Sequence, residues 1–211
     1  MAAGPRTRVT HVLLASYAAL GAAVLLGVLA DHRPLLWATK PLLAPCLAAL
    51  LLVDPMLRRP AMPFVAGLGF AAAGDVAMLA GRAWLLVGLG LFLAMHLCYL
   101  LGLLALARPG RLAIVVYGLV WLASAGALWS RLGSMRIPVL GYAVALTAMA
   151  AAATVAGRLA AVGAGLFVVS DLAIGLRIVD VDVPGRAMII MATYVVAQVL
   201  IVVGVRRRLA P

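Results

Sequence analysis

The chain has 211 residues, of which 67% are hydrophobic and only 11% are charged, and its mean hydropathy is +1.20. A soluble domain carries about 25% charged residues, so this composition excludes a soluble enzyme, a disordered regulator and a nucleic-acid-binding module. The net charge of +11 comes from arginines between apolar runs, where lipid headgroups and the positive-inside rule account for them. The sequence therefore predicts an integral membrane protein whose surroundings are the lipid bilayer.

Eight apolar runs follow one another along the chain, each close to the length of about 20 residues that a membrane-spanning helix needs. Arg, Pro, Gly and Asp residues separate them. We expect the spans at 11–30, 35–53, 61–80, 83–107, 112–130, 137–156, 159–178 and 187–205. Since they use most of the chain, we expect one integral membrane domain over residues 1–211, an all-α bundle of eight transmembrane helices with any chemistry inside the bundle.

The first run follows Arg6 and Arg8 and could mimic a secretory signal peptide. Its apolar stretch exceeds the usual 7–15 residues of such a signal, so we interpret it as a retained helix. With the N terminus inside, ten arginines fall in inner segments and six in outer segments, where Asp31, Asp180 and Asp182 offset them. This bias predicts that both termini are cytoplasmic.

A faint internal repeat relates the third span to the seventh. Residues 69–77 and 165–173 share the frame G-x5-D-x-A at an offset of 96 residues, and Lys40-Pro41 corresponds to Ile137-Pro138 at an offset of 97. A duplicated unit with an even number of spans keeps the same orientation in both copies. The matches suggest that a four-helix unit has been duplicated. In that case the two aspartates of the frame would occupy equivalent positions that face one central cavity.

Charged residues inside a span cost about 2.5–3.5 kcal/mol or more each and normally mark a functional site. Away from the span ends they are few here, namely Lys40, Asp75, His96 and Asp171. At a rise of about 1.5 Å per residue, Lys40 and the two aspartates would lie at a similar depth, about 8–9 Å below the outer interface, and His96 would lie deeper. This arrangement predicts a cavity that opens to the outer side.

Each of these residues also has a purely structural interpretation. Lys40 could extend its ammonium to the interface, or it could form a structural ion pair with one of the aspartates instead of meeting a phosphate. His96 could equally be an interhelical hydrogen-bonding residue. The neutral polar residues of the spans are more often interhelical contacts than catalytic groups, and they are Tyr99, Tyr142, Thr193, Tyr194 and Gln198.

In this order and at these depths, the polar residues resemble the YhhN family of eight-span membrane proteins over essentially the whole chain. The resemblance rests on Lys40-Pro41, Gly74-Asp75, His96-x-x-Tyr99, Tyr142 with Met149, Ser170-Asp171, and Thr193-Tyr194 with Gln198. Characterised members of the family are lysoplasmalogenases. The resemblance therefore implies hydrolysis of the vinyl-ether bond of a lysoplasmalogen to a fatty aldehyde and a glycerophospho-alcohol, without a metal or another cofactor.

Vinyl ethers are hydrolysed by protonation of an alkene carbon, which leaves an oxocarbenium ion that water attacks. Such an enzyme needs a protonated carboxylic acid, a second carboxylate and a dry site, and each acid or base contributes about 10²–10⁴-fold. In this interpretation Asp75 and Asp171 fill the two carboxyl roles in either order, and His96 orients a carboxyl or the water. The substrate-binding candidates are Lys40 at the phosphate, Tyr99, Tyr142, Tyr194 and Gln198.

Two other functions are compatible with the same residues. A zinc-dependent intramembrane hydrolase would need three protein ligands, usually rich in histidine, and only His96 lies deep in a span. A small transporter or proton-coupled carrier would use the buried aspartates and lysine as a proton relay. Within the enzyme class, a saturated lysophospholipid or another ether lipid is the alternative substrate.

Overall fold

The computed structural model describes residues 4–210, which form helices joined by short turns. The eight long helices are α1 (Pro5–Leu29), α2 (Arg33–Leu52), α3 (Arg58–Ala80), α4 (Leu85–Leu106), α5 (Arg111–Leu128), α6 (Arg136–Ala153), α7 (Arg158–Ile178) and α8 (Arg186–Leu209). Short 3-10 helices precede α4 (Arg82–Trp84), precede α6 (Gly133–Met135) and follow α6 (Thr154–Ala156).

All eight α-helices are long and apolar enough to cross a membrane, which confirms the predicted all-α class with eight spans. The helices and the predicted runs share their centres and differ at their ends. The first helix begins at Pro5 rather than at residue 11, and the last continues to Leu209 rather than ending at 205. The reason is that arginines favour helical backbone as much as leucine does, so a helix need not end where its apolar residues end.

Proline and glycine shape the helices of this chain at identifiable points. Pro41 and Pro45 lie inside α2, and each removes one backbone N–H from the helical hydrogen-bond ladder. Gly81 ends α3 with a φ of 111°, a left-handed backbone conformation that costs glycine little and other residues more. The first of these prolines directly follows Lys40, so the ladder is interrupted next to a charged residue of the span.

The chain divides into two compact units, which we describe separately. The first unit contains α1 to α3, α4 as far as Cys98, and the end of α8 from Arg206; the second contains Tyr99–Val205. The division falls inside α4, whereas a duplicated four-helix unit would divide the chain after the fourth span. The duplication and the single domain over residues 1–211 both stay predictions.

In the first unit, α2 packs between α1 and α3. The guanidinium of Arg33, where α2 begins, donates a hydrogen bond of 3.0 Å to the carbonyl of Leu79, where α3 ends. The thiol of Cys46, late in α2, lies 3.2 Å from the carbonyl of Leu13, early in α1. Neighbouring helices are therefore antiparallel, and the core between them contains Leu43, Leu47, Leu51, Phe64, Leu68 and Ala71.

In the second unit, α6 packs against both α5 and α7, and α8 lies very close to α7. A Cβ added at Gly163 of α7 would lie 2.8 Å from the carbonyl oxygen of Ala197, and one added at Gly204 of α8 would lie 2.7 Å from the backbone nitrogen of Ala160. Small residues at such contacts let two membrane helices approach at backbone distance. This approach fixes the position of α8 on α7.

Gly163→Ala is therefore expected to lower the melting temperature of the purified protein by several degrees. Overpacking costs about 1–3 kcal/mol, and each kcal/mol shifts the midpoint by roughly 2–4 °C in a chain of this size. The matched control is Gly165→Ala, because a Cβ there would meet only the Tyr117 hydroxyl, at 3.7 Å. Thermal unfolding in detergent measures both variants, and equal midpoints would contradict the close approach of α7 and α8.

Candidate functional site

A buried ion pair joins Lys40 of α2 to Asp75 of α3 in the first unit. Nζ of Lys40 lies 3.1 Å from Oδ1 of Asp75, and the two side chains are 9% and 1% exposed. Lys40 lies in the second turn of α2 and Asp75 in the last two turns of α3, and these ends of the two helices lie side by side. The structure thus contains the ion pair that was one structural interpretation of Lys40, while its contact with a substrate phosphate stays a prediction.

His96 lies fully buried in α4, on the face that packs against α3. That face is identified by two contacts, since a Cβ at Gly74 would lie 3.0 Å from the Phe92 ring and a Cβ at Gly88 would lie 3.1 Å from the Met78 side chain. His96 is one helical turn beyond Phe92 and therefore on the same face. In the antiparallel pair this places it about one turn farther than Gly74 from the connection between α3 and α4, while its depth in the membrane stays a prediction.

In the second unit, the hydroxyl of Tyr142 in α6 donates a hydrogen bond to Oδ2 of Asp171 in α7. Tyr142 is buried and Asp171 is partly buried. The preceding residue, Ser170, is buried and donates its hydroxyl to the carbonyl of Ile190 in α8 at 3.1 Å. Two consecutive residues of α7 thus contact two different helices, α8 through Ser170 and α6 through Asp171.

A second polar contact of this unit joins α4 to α8. The hydroxyl of Tyr99 donates a hydrogen bond of 2.9 Å to Oε1 of Gln198, and both side chains are buried. One turn before Gln198, the Tyr194 ring meets Phe167 of α7 edge to face, with ring centroids 5.6 Å apart. These contacts agree with the interhelical interpretation of the tyrosines and leave substrate binding by Tyr99, Tyr194 and Gln198 a prediction.

The two aspartates differ in the chemistry of their partners. In each unit one aspartate of a span contacts a side chain from the helix before its own, and Asp75 meets an ammonium whereas Asp171 meets a phenol. A neighbouring cation balances the negative charge of a buried carboxylate. A neutral hydrogen-bond donor such as a phenol stabilises that charge without balancing it. The two carboxyls are thus each held by a different chemical group.

Sequence reasoning missed the contacts that hold these residues in place. Neither the Ser170 hydrogen bond to α8 nor the contact of Phe92 at Gly74 was predicted. The Gly74-Asp75 motif offered a signal for the second, because a glycine inside a span commonly marks a close contact. For the first there was none, since the acceptor is a backbone carbonyl.

A metal site requires several ligand side chains close together. Among residues 4–210, no three His, Cys, Asp or Glu side chains lie close enough together to hold a metal ion. A catalytic zinc ion needs three protein ligands, and this part of the chain offers no such group. Activity in the presence of a chelator remains the direct test of the zinc interpretation. The outward-opening cavity and the cytoplasmic termini also stay predictions.

Comparison with known proteins adds a family. The sequence model of the YhhN family matches residues 35–205, a range that contains every site residue described above. Two proteins named lysoplasmalogenase, from Mycobacterium bovis (strain ATCC BAA-935 / AF2122/97) and Mycobacterium tuberculosis (strain CDC 1551 / Oshkosh), are each 38% identical over 192 residues, which cover 83% of this chain and 72% of theirs. No solved structure matches the chain.

Proposed function

The chain belongs to the YhhN family, and we propose that it is an intramembrane lysoplasmalogenase that hydrolyses the vinyl-ether bond of a lysoplasmalogen. The products are a fatty aldehyde and a glycerophospho-alcohol, and the reaction consumes one water and needs no cofactor. The observation that carries the proposal is that each of the two span aspartates is held by a polar side chain of the preceding helix, Asp75 by the Lys40 ammonium and Asp171 by the Tyr142 hydroxyl. The name of the two mycobacterial relatives supports the same substrate class.

We assign the proton donor to Asp171. Its neutral carboxylic acid donates the proton to the alkene carbon farther from the ether oxygen, which leaves an oxocarbenium ion. The hydrogen bond from Tyr142 to Oδ2 stabilises the carboxylate that remains after the transfer. The same bond orients the carboxyl group, which is what general acid catalysis requires.

We assign the second carboxylate to Asp75. Its carboxylate, 3.1 Å from the Lys40 ammonium, accepts a proton from the water that attacks the oxocarbenium carbon. The hemiacetal formed in this way collapses: its hydroxyl proton passes to Asp171, its C–O bond to glycerol breaks, and the glycerol oxygen takes the proton that Asp75 accepted from the water. His96 orients the water or a carboxyl, and Tyr99, Tyr194 and Gln198 contact the lipid.

Aldehyde release by the purified protein in detergent tests the proposal. The substrates are a lysoplasmalogen and an ester lysolipid of the same chain length, with and without a strong chelator. In D₂O, carbon protonation places one deuterium on the carbon next to the aldehyde carbonyl. Cleavage of the ester alone would indicate that ordinary lysophospholipids are the substrate. The absence of any product from a folded sample would favour a carrier. Solute uptake into sealed vesicles would then test the carrier function.

Tyr142→Phe is expected to lower kcat for the vinyl ether about 10-fold and to leave KM nearly unchanged. Phenylalanine keeps the ring but removes the hydroxyl that orients Asp171 and stabilises its charge, a hydrogen bond to a charged group contributing about 1.5–3 kcal/mol. The matched control is Tyr117→Phe, a tyrosine of the same unit on α5. Equal kcat values for the two variants would contradict the role of Tyr142.

The protein is a multi-pass membrane protein by its eight apolar helices. We further propose that both termini are cytoplasmic, because the inner segments defined in this way contain ten of the sixteen arginines. A reporter enzyme that is active only outside the cytoplasm, fused to the C terminus, tests this orientation and should remain inactive.

A further inference from the structure

Seven arginines are gathered at one end of the first unit. Because α1, α2 and α3 are antiparallel neighbours, α1 begins at the end where α2 stops and α3 starts. The final turn of α8 lies at this end too, since Arg206 contacts α1. The arginines are Arg6, Arg8, Arg58, Arg59, Arg206, Arg207 and Arg208, and among the described residues of this end only Asp54 is acidic.

Arg206 connects the end of α8 to α1. Its Nη2 donates a hydrogen bond of 3.1 Å to the hydroxyl of Thr10, a residue that is 9% exposed. Arg6 lies one helical turn before Thr10 on α1 and is exposed, so arginines of both helices lie at this end. Arg207 and Arg208 follow in the same turn of α8 and are exposed.

This arrangement leaves a hydrogen-bond donor unused and most of the positive charge unbalanced, because the described residues of this end hold seven arginines and one aspartate. A guanidinium has five N–H donors, and Nε of Arg206 is buried with no hydrogen-bond acceptor among residues 4–210. Like charges at such an end repel one another unless an anion lies between them. Phosphate is the anion whose geometry suits several guanidinium groups at once.

The neighbouring surface indicates which phosphate compound binds. Val9 and Val12 of α1 are 46% and 62% exposed, and Met62 of α3 is 51% exposed, so apolar side chains continue from the arginines along the helices. A ligand that covers both surfaces has anionic phosphate at one end and hydrocarbon at the other. We propose that this arginine end of the first unit binds the headgroup of an anionic phospholipid, and that the bound lipid holds the last turn of α8 against α1.

Thermal unfolding in an uncharged detergent tests this proposal independently of any hydrolytic activity. Phosphatidylglycerol, phosphatidylcholine and inorganic phosphate are added separately at constant ionic strength. We expect phosphatidylglycerol alone to raise the melting temperature by several degrees, because a ligand that binds only the folded state stabilises it. An equal rise with phosphatidylcholine would overturn the proposal, and an equal rise with inorganic phosphate would reassign the site to a free anion.

Three variants locate the effect. Arg206→Gln is expected to abolish the phosphatidylglycerol shift, and Arg82→Gln, at the opposite end of the same unit, is expected to keep it. Arg207→Gln with Arg208→Gln removes two exposed side chains and keeps the contact with Thr10, so it serves if the first variant does not fold. Each surface arginine contributes about 5-fold to the affinity for anionic lipid, so this double variant should bind about 25-fold more weakly. An unchanged affinity would overturn the proposal.

Discussion

Asp171→Asn is expected to lower the turnover of a lysoplasmalogen by about 10²–10⁴-fold, the usual contribution of a general acid. Asparagine has nearly the same shape and still offers an oxygen to the Tyr142 hydroxyl, so the contact between α6 and α7 is retained while the transferable proton is lost. The measurement is aldehyde release at saturating substrate, with deuterium incorporation in D₂O as a second readout. Any residual product should then form slowly by the same carbon protonation.

A chemically identical change elsewhere in the second unit provides the control. Asp182→Asn removes a fully exposed carboxylate that lies 3.5 Å from Arg186, and we expect native turnover because the residue has no part in the proposed reaction. Melting temperatures of both variants show whether the fold is intact. A folded Asp171→Asn protein with native turnover would remove Asp171 from the mechanism and return the role of the acid to Asp75.

The eight helices and the ion pair could be predicted from the sequence for a physical reason. A helix that crosses lipid must be long and apolar, and a charge inside it must find a partner or lose its charge. Lys40, as the one lysine of the chain, had few candidates for that partner. The choice of Asp75 over Asp171 came only from the packing of α2 on α3.

The contact between Tyr142 and Asp171 could not be predicted from the sequence. In an amphipathic helix the apolar stripe identifies the buried face, but these spans are apolar all round, so the sequence does not indicate which way Tyr142 points. A tyrosine in a span also has many interhelical roles. For the same reason, the matching frames around the two aspartates did not reveal that their partners differ.

The second large effect is expected at the ion pair of the first unit. Lys40→Met leaves a buried carboxyl without its cation, which typically costs about 3–5 kcal/mol until the carboxyl takes up a proton. A protonated Asp75 cannot accept a proton from water, so we expect turnover to fall about 100-fold or more, within the range for a lost general base. Thermal unfolding and aldehyde release, measured on the same sample, report the two effects separately.

Replacing both partners distinguishes a catalytic pair from a structural one. Apolar side chains of similar volume in place of a buried ion pair are often neutral or stabilising, so Lys40→Met combined with Asp75→Leu should recover the melting temperature lost in Lys40→Met alone. If Asp75 is the base that activates water, turnover stays low although the fold is restored. If the pair only joins α2 to α3, turnover returns together with stability, and that result would remove Asp75 from the reaction.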